Sequence, residues 1–164
     1  MPGPSPGVYA TVGLDLRASD YASGYDSPWF EDVTVPTVCG LVGLRPRAQY
    51  LMLPIPPASE IDVDESVAAA GDSADGTTGN DGWGLFSGTS AAAPQLAGAA
   101  ALILGARPEL TTAQVRQALV ETAVDVRSGR CHPRFNFRAQ PGTDRATGAG
   151  LSSAAAALKR ALAL

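Results

Sequence analysis

Twenty-five consecutive residues, Gly82 to Ala106, carry no charge. Such a run is either a membrane span or a helix enclosed by protein. Pro94 and Gln95 interrupt it, and the apolar stretch that follows, Leu96 to Ala106, is only 11 residues long. That is short of a span. A core helix is therefore expected over Ser90 to Ala106. Leu96, Ala99, Ala100, Ile103 and Leu104 make it apolar all round and buried on every side. Gly98 and the alanines are expected to admit close backbone neighbours. Gly105 and Pro108 end the helix.

The remaining chain has the material for one domain around such a helix. It has 164 residues, 45% hydrophobic and 17% charged, which suits a packed core rather than disorder. Val8 to Leu14 and residues 48–55 (AQYLMLPI) read as strands, and Pro36 makes residues 33–38 an edge strand. Residues 58–81 are polar, with acids at Glu60, Asp62, Asp64, Glu65, Asp72, Asp75 and Asp81. They read as a long solvated loop. Cation-loop spacing is absent, although Asp72, Asp75 and Asp81 remain able to meet in space. Thr111-Thr112-Ala113-Gln114 has the form of a capping box, with Val115, Leu119 and Thr122 or Ala123 on one face of the helix it starts. Residues 127–147 form an arginine-rich loop, and Ser152 or Ser153 caps a final Ala/Leu helix.

Scarcity excludes several chemistries. The only lysine, Lys159, follows Leu158, so no phosphate loop exists. Position 156 is alanine, which removes an S-x-x-K nucleophile. A single histidine, His132, rules out a His-rich metal site. Cys39 and Cys131 form no C-x-x-C pair and are either free thiols or one long-loop disulfide. The net charge of −4 with no basic stripe argues against nucleic acid and anionic membranes as partners. MPGPSPG at the start has neither the basic nor the apolar region of a signal peptide.

What remains is the Gly88-Thr89-Ser90 turn that feeds the helix. Backbone N–H groups at a helix start are unpaired, and the dipole end is positive. An oxyanion formed on a carbonyl attacked by Ser90 is stabilised there, with the Ser90 N–H as one donor. Pro94 lies near the first turn, where its missing donor costs little. The bland alternative is that Ser90 is only a cap. The G-x-S-x-G elbow does not fit, because residues 88–92 read Gly-Thr-Ser-Ala-Ala.

The longer string S-G-T-S-A-A-A-P-Q-L-A-G-A-A-A-L, residues 87–102, resembles the nucleophile motif of subtilisin-like serine peptidases, the subtilase family. The resemblance continues through Pro108-Glu-Leu-Thr111-Thr-Ala-Gln114-Val115-Arg116 and Gly148-Ala-Gly150-Leu151-Ser-Ser-Ala154. It is specific over residues 84–126, weaker over 146–164 and loose over 8–83. The sedolisin branch also uses S-G-T-S, but Q-L-A-G and L-T-x-x-Q-V fit the subtilisin branch. Gln95 stands where the family often has histidine, at a position expected to pack rather than react.

The resemblance implies an α/β fold: a partial doubly wound, mostly parallel sheet with a central buried helix behind the nucleophile. Residues 1–164 would be the C-terminal part of the catalytic domain. It implies a serine endopeptidase acting on protein or peptide substrates. Ser90 would be the nucleophile, and Gly88 and Thr89 would contribute to substrate binding. No cofactor or catalytic metal is required, though family members often bind structural calcium. Full-length members are mostly secreted. The family's D-x-G, H-G-T and oxyanion Asn are not found at matching positions. Asp15 and Asp20 lack the D-x-G context, His132 lacks H-G-T, and Asn80 lies only ten residues before Ser90. A further N-terminal segment carrying Asp, His and Asn is therefore an expected partner. The alternative is a catalytically inactive fragment, at most a binding module.

Overall fold

The computed structural model describes residues 7–10, 15–22, 24–26, 29, 34–43, 50–67 and 80–164. Five short strands come first: β1 (Gly7–Ala10), β2 (Leu16–Ala18), β3 (Tyr25–Asp26), β4 (Thr34–Val35) and β5 (Gly40–Leu41). β6 (Leu51–Pro54), α1 (Glu60–Val67), β7 (Trp83–Phe86) and α2 (Thr89–Ala106) follow. α3 (Thr112–Glu121), β8 (Ser128–Gly129) and α4 (Ala154–Ala161) complete the order. A four-stranded mixed sheet runs β5-β1-β2-β8, with β1 parallel to β5, β2 parallel to β8, and β1 antiparallel to β2. The pairs β3–β4 and β6–β7 are antiparallel. The architecture is α/β, with part of the expected parallel pairing.

Two cores hold the elements. The first packs Ala18, Cys39, Val126, Cys131, Ala139 and Ala146 behind the mixed sheet. The second joins the end of α2 to α3 and α4 through Ile103, Leu110, Val115, Ala118, Ala157 and Ala161. Burial of a side chain such as Ile103, with none of its surface exposed, contributes about 2 kcal/mol. The capping box is present as the sequence implies. Gln114 N–H donates to Thr111 Oγ1 at 3.3 Å, and Thr111 N–H donates to Gln114 Oε1 at 2.9 Å. Of the two serines before α4, Ser153 is the N-cap. Both cysteines are free and buried, which settles that alternative.

Three expectations need correction. The long polar loop over 58–81 contains helix α1. Asp62 N–H bonds to Ser59 Oγ at 3.4 Å, and Glu60 and Asp62 place negative charge at the positive end of the helix. Residues 68–79, with Asp72 and Asp75, lie outside the described residues. Second, α2 is not buried on every side. Its buried residues are Ala91, Ala92, Ala99 and Ile103, while Leu102 is 58% exposed. Along α2 and α3 runs an open apolar groove of about 690 Å³, lined in part by Val38, Leu96, Ala97, Leu104, Val115 and Leu119. Third, Gly98 admits no neighbour, since a Cβ there meets nothing within 4 Å. The close approach occurs at the start of the helix, where a Cβ on Gly40 would lie 2.6 Å from the Ala92 carbonyl oxygen. Among the described residues, α2 is the one helix long and apolar enough to cross a membrane.

Candidate functional site around Ser90

β7 delivers the chain directly into the turn before α2. The strand is held on one side by its ladder with β6, from Leu51 opposite Phe86 to Pro54 opposite Trp83. At its entry Asp62 is fully buried, and its Oδ2 accepts from Ala58 N–H at 2.7 Å and Gly82 N–H at 3.2 Å. One carboxylate thus ties the loop after β6 to the turn before β7. At its exit Ser87 donates to the Gly43 carbonyl at 2.7 Å, and the Tyr21 hydroxyl contacts both groups.

Gly88 is the N-cap of α2, with φ 92°. That left-handed conformation favours glycine, whose missing side chain removes the steric cost. Gly88 has no side chain to cap the helix, and no other side chain caps it. Ala91 N–H and Ala92 N–H both turn back to the Gly88 carbonyl, at 3.0 and 3.1 Å. The N–H groups of Thr89 and Ser90 have no acceptor among the described residues. Ser90 is therefore inside the helix rather than at its cap, and its side chain is on the exposed side of the first turn. This weighs against the cap reading. Two free N–H groups at the positive end of a helix form a place for an anionic oxygen.

The first turn is fixed from below. Gln95 presents its amide to Leu41 as a strand would, accepting from Leu41 N–H at 3.0 Å and donating to the Leu41 carbonyl at 2.8 Å. The same amide nitrogen lies 2.8 Å from the Ala91 carbonyl. Gln95 thus ties the first turn of α2 to β5, in keeping with a packing role. Sequence reasoning did not find Tyr21, Gly43 or Asp62. Tyr21 and Gly43 lie in loops without periodicity, and Asp62 was one acid among seven. Ser87 was visible as the first serine of S-G-T-S.

The other candidates lie elsewhere. His132 is exposed; its backbone N–H donates to the Ala22 carbonyl at 3.0 Å, and its ring Nδ1 accepts from Arg134 backbone N–H at 3.2 Å. No contact among the described residues brings it to Ser90. Asp20 lines a different pocket, beside β2 and β8. Asp81 is exposed and accepts from Trp83 N–H at 3.0 Å. No group of three His, Cys, Asp or Glu side chains converges among the described residues.

A serine presented at an uncapped helix start by an α/β scaffold is an arrangement that serine hydrolases use. Residues 53–150 match the subtilase family, peptidase S8. The chain belongs to that family. Over 65 residues it is 45% identical to subtilisin NAT of Bacillus subtilis subsp. natto, covering 40% of this chain and 17% of that protein. It is 48% identical over 65 residues to subtilisin of Bacillus pumilus, covering 40% of this chain and 22% of that protein. The solved structure of fervidolysin from Fervidobacterium pennivorans, a keratinolytic enzyme related to subtilisin, is similar with a TM-score of 0.57 and 26% identity. That likeness covers 95% of this chain and 19% of the fervidolysin chain. Each match spans about a fifth of the relative's length.

Proposed function

We propose that the chain is the C-terminal part of a subtilisin-like serine endopeptidase domain, with Ser90 as the nucleophile. The observation that carries this reading is the uncapped first turn of α2, which leaves the Ser90 hydroxyl exposed and the Ser90 N–H unpaired. In the proposed reaction Ser90 Oγ attacks the scissile carbonyl of a protein or peptide. A histidine accepts the hydroxyl proton and then delivers it to the leaving amine, and an aspartate orients that histidine. The Ser90 N–H and an asparagine side chain hold the oxyanion. Water then releases the acyl group. Gly88 and Thr89 lie beside the substrate backbone. No cofactor takes part, and no calcium enters any step.

Asp, His and Asn come from a segment outside these 164 residues, on the same polypeptide or a second one. The open apolar groove along α2 and α3 supports this, because such a face calls for a cover. A face of that kind resembles a domain core cut in half, so association would be tight. An unassisted serine hydroxyl is a weak nucleophile. The 164-residue chain alone is therefore expected to leave casein intact. Co-expression with a segment carrying D-x-G, H-G-T and the Asn should restore hydrolysis, and Ser90→Ala should abolish it again. Hydrolysis by the chain alone, lost in Ser90→Ala, would show that it holds its own base. A folded complex without activity would favour the inactive-fragment alternative.

A further inference from the structure

In a chain of net charge −4, residues 127–147 contain five arginines and one aspartate. Three of the five have evident partners. Arg127 pairs with Asp125 at 2.8 Å, Arg134 lies 5.6 Å from the centre of the Phe135 ring, and Arg145 lies 3.8 Å from that of Phe137. Arg130 is held by one bond, to Asn136 Oδ1 at 2.9 Å. Arg138 has no carboxylate or other acceptor among the described residues, and neither does Arg17 on β2.

Backbone pairing brings these last three together. Arg17 is opposite Ser128 in the parallel β2–β8 pair, and Arg130, just beyond β8, is bridged to Arg138. β8 and the residue after it thus have one arginine of their own and one on each flank. Arg17, Arg130 and Arg138 line an open pocket of about 380 Å³, together with Ala18, Gly129 and Asp20. A Cβ on Gly129 would lie 2.4 Å from the Ala18 carbonyl oxygen, so this part of the lining stays free of a side chain. α2 packs on β5, at the opposite edge of the sheet from β8, so the pocket is separate from Ser90.

We propose that the Arg17–Arg130–Arg138 pocket binds a tetrahedral dianion, a phosphate group. Three guanidiniums and one carboxylate leave the pocket with two net positive charges. Unpaired guanidinium forks match phosphate oxygens in pairs, and a phosphomonoester carries about −1.5 to −2 at neutral pH. A carboxylate monoanion satisfies one fork and half of that charge. The phosphate comes either as the free ion or as a monoester.

Calorimetric titration of the full chain with inorganic phosphate, with chloride keeping ionic strength constant, tests the site. Saturable binding is expected. Arg17→Gln and Arg138→Gln should each weaken it about tenfold or more, since each removes a charge-assisted pair. Arg127→Gln, which lies outside the pocket, should leave it unchanged. O-phosphoserine binding more tightly than phosphate supports a monoester as the occupant, and the reverse supports the free ion. Both replaced side chains are exposed. If either glutamine variant loses its helical signal, Arg17→Lys is read instead, which keeps the charge but not the fork; weaker binding supports the proposal, and unchanged binding overturns it. Absence of binding by the parent chain, or equal weakening by Arg127→Gln, also overturns it.

Discussion

Replacing Gly98 by alanine tests whether the outer face of α2 is bare. Gly98 lies inside the helix, and a Cβ added there meets nothing within 4 Å. The methyl group neither clashes nor gains packing. What changes is the unfolded chain, which loses glycine's backbone freedom, and the intrinsic preference for helix. Together these favour alanine in a helix interior by about 0.5–1 kcal/mol. For a chain of this size, 1 kcal/mol moves the unfolding temperature by about 2–4 °C. Gly98→Ala should therefore raise the melting temperature by about 1–4 °C, followed by far-ultraviolet circular dichroism, with a matching rise in the urea midpoint. Gly40→Ala is the contrasting control. Its methyl would meet the Ala92 backbone, an overpacking that costs about 1–3 kcal/mol or more. A destabilised Gly98→Ala variant would mean instead that another element rests against that position.

Ile103→Ala should cost about 2–5 kcal/mol in urea unfolding, because Ile103 is completely buried where α2 meets α3 and α4. A loss within experimental error would mean that this cluster does not hold the helices. Cys39 and Cys131 should resist a disulfide-exchange reagent until the chain unfolds; burial is the main cause of both raised thiol pKa values, with Asp144 adding to it. Rapid reaction of the native chain would contradict their placement. Glu109, Glu121 and Asp125 are held below the usual carboxylate range, chiefly by bonds from Arg107, Gln117 and Arg127 respectively. A depressed folded-state pKa gives stability that is present above the unfolded value and lost as pH falls through the folded one. Urea midpoints should therefore fall on acidification below about pH 4. A rise over that range would count against these pairs.

Local chemistry made much of this architecture readable in the sequence. The Thr111 and Gln114 side chains mark a helix start by themselves, and the helical spacing of Val115 and Leu119 points to the packed face, where Val115 and Ala118 are buried and Leu119 is partly so. The extent of α2 followed from its uncharged run and from Pro108. Its exposure did not, because an apolar helix reads the same whether or not another element lies against it. α1 was hidden in an acidic segment whose composition suggested a loop; Ser59, just before Glu60 and bonded by Asp62 N–H, was the overlooked signal. The turn that presents Ser90 was legible because it and the helix are contiguous in sequence. The groups that fix it were not. Tyr21, Gly43 and Ser87 span 66 residues of chain, and only the sheet topology brings them together.

In the proposed mechanism Ser90 waits in a finished turn for a base supplied from elsewhere. A fluorophosphonate probe reads this directly, since it reacts with an activated serine and reports the site by mass. Labelling of Ser90 is expected only when the complementing segment is bound, and His→Ala in that segment should remove it. Equal labelling of Ser90 with and without the segment would show that the base is not supplied from elsewhere.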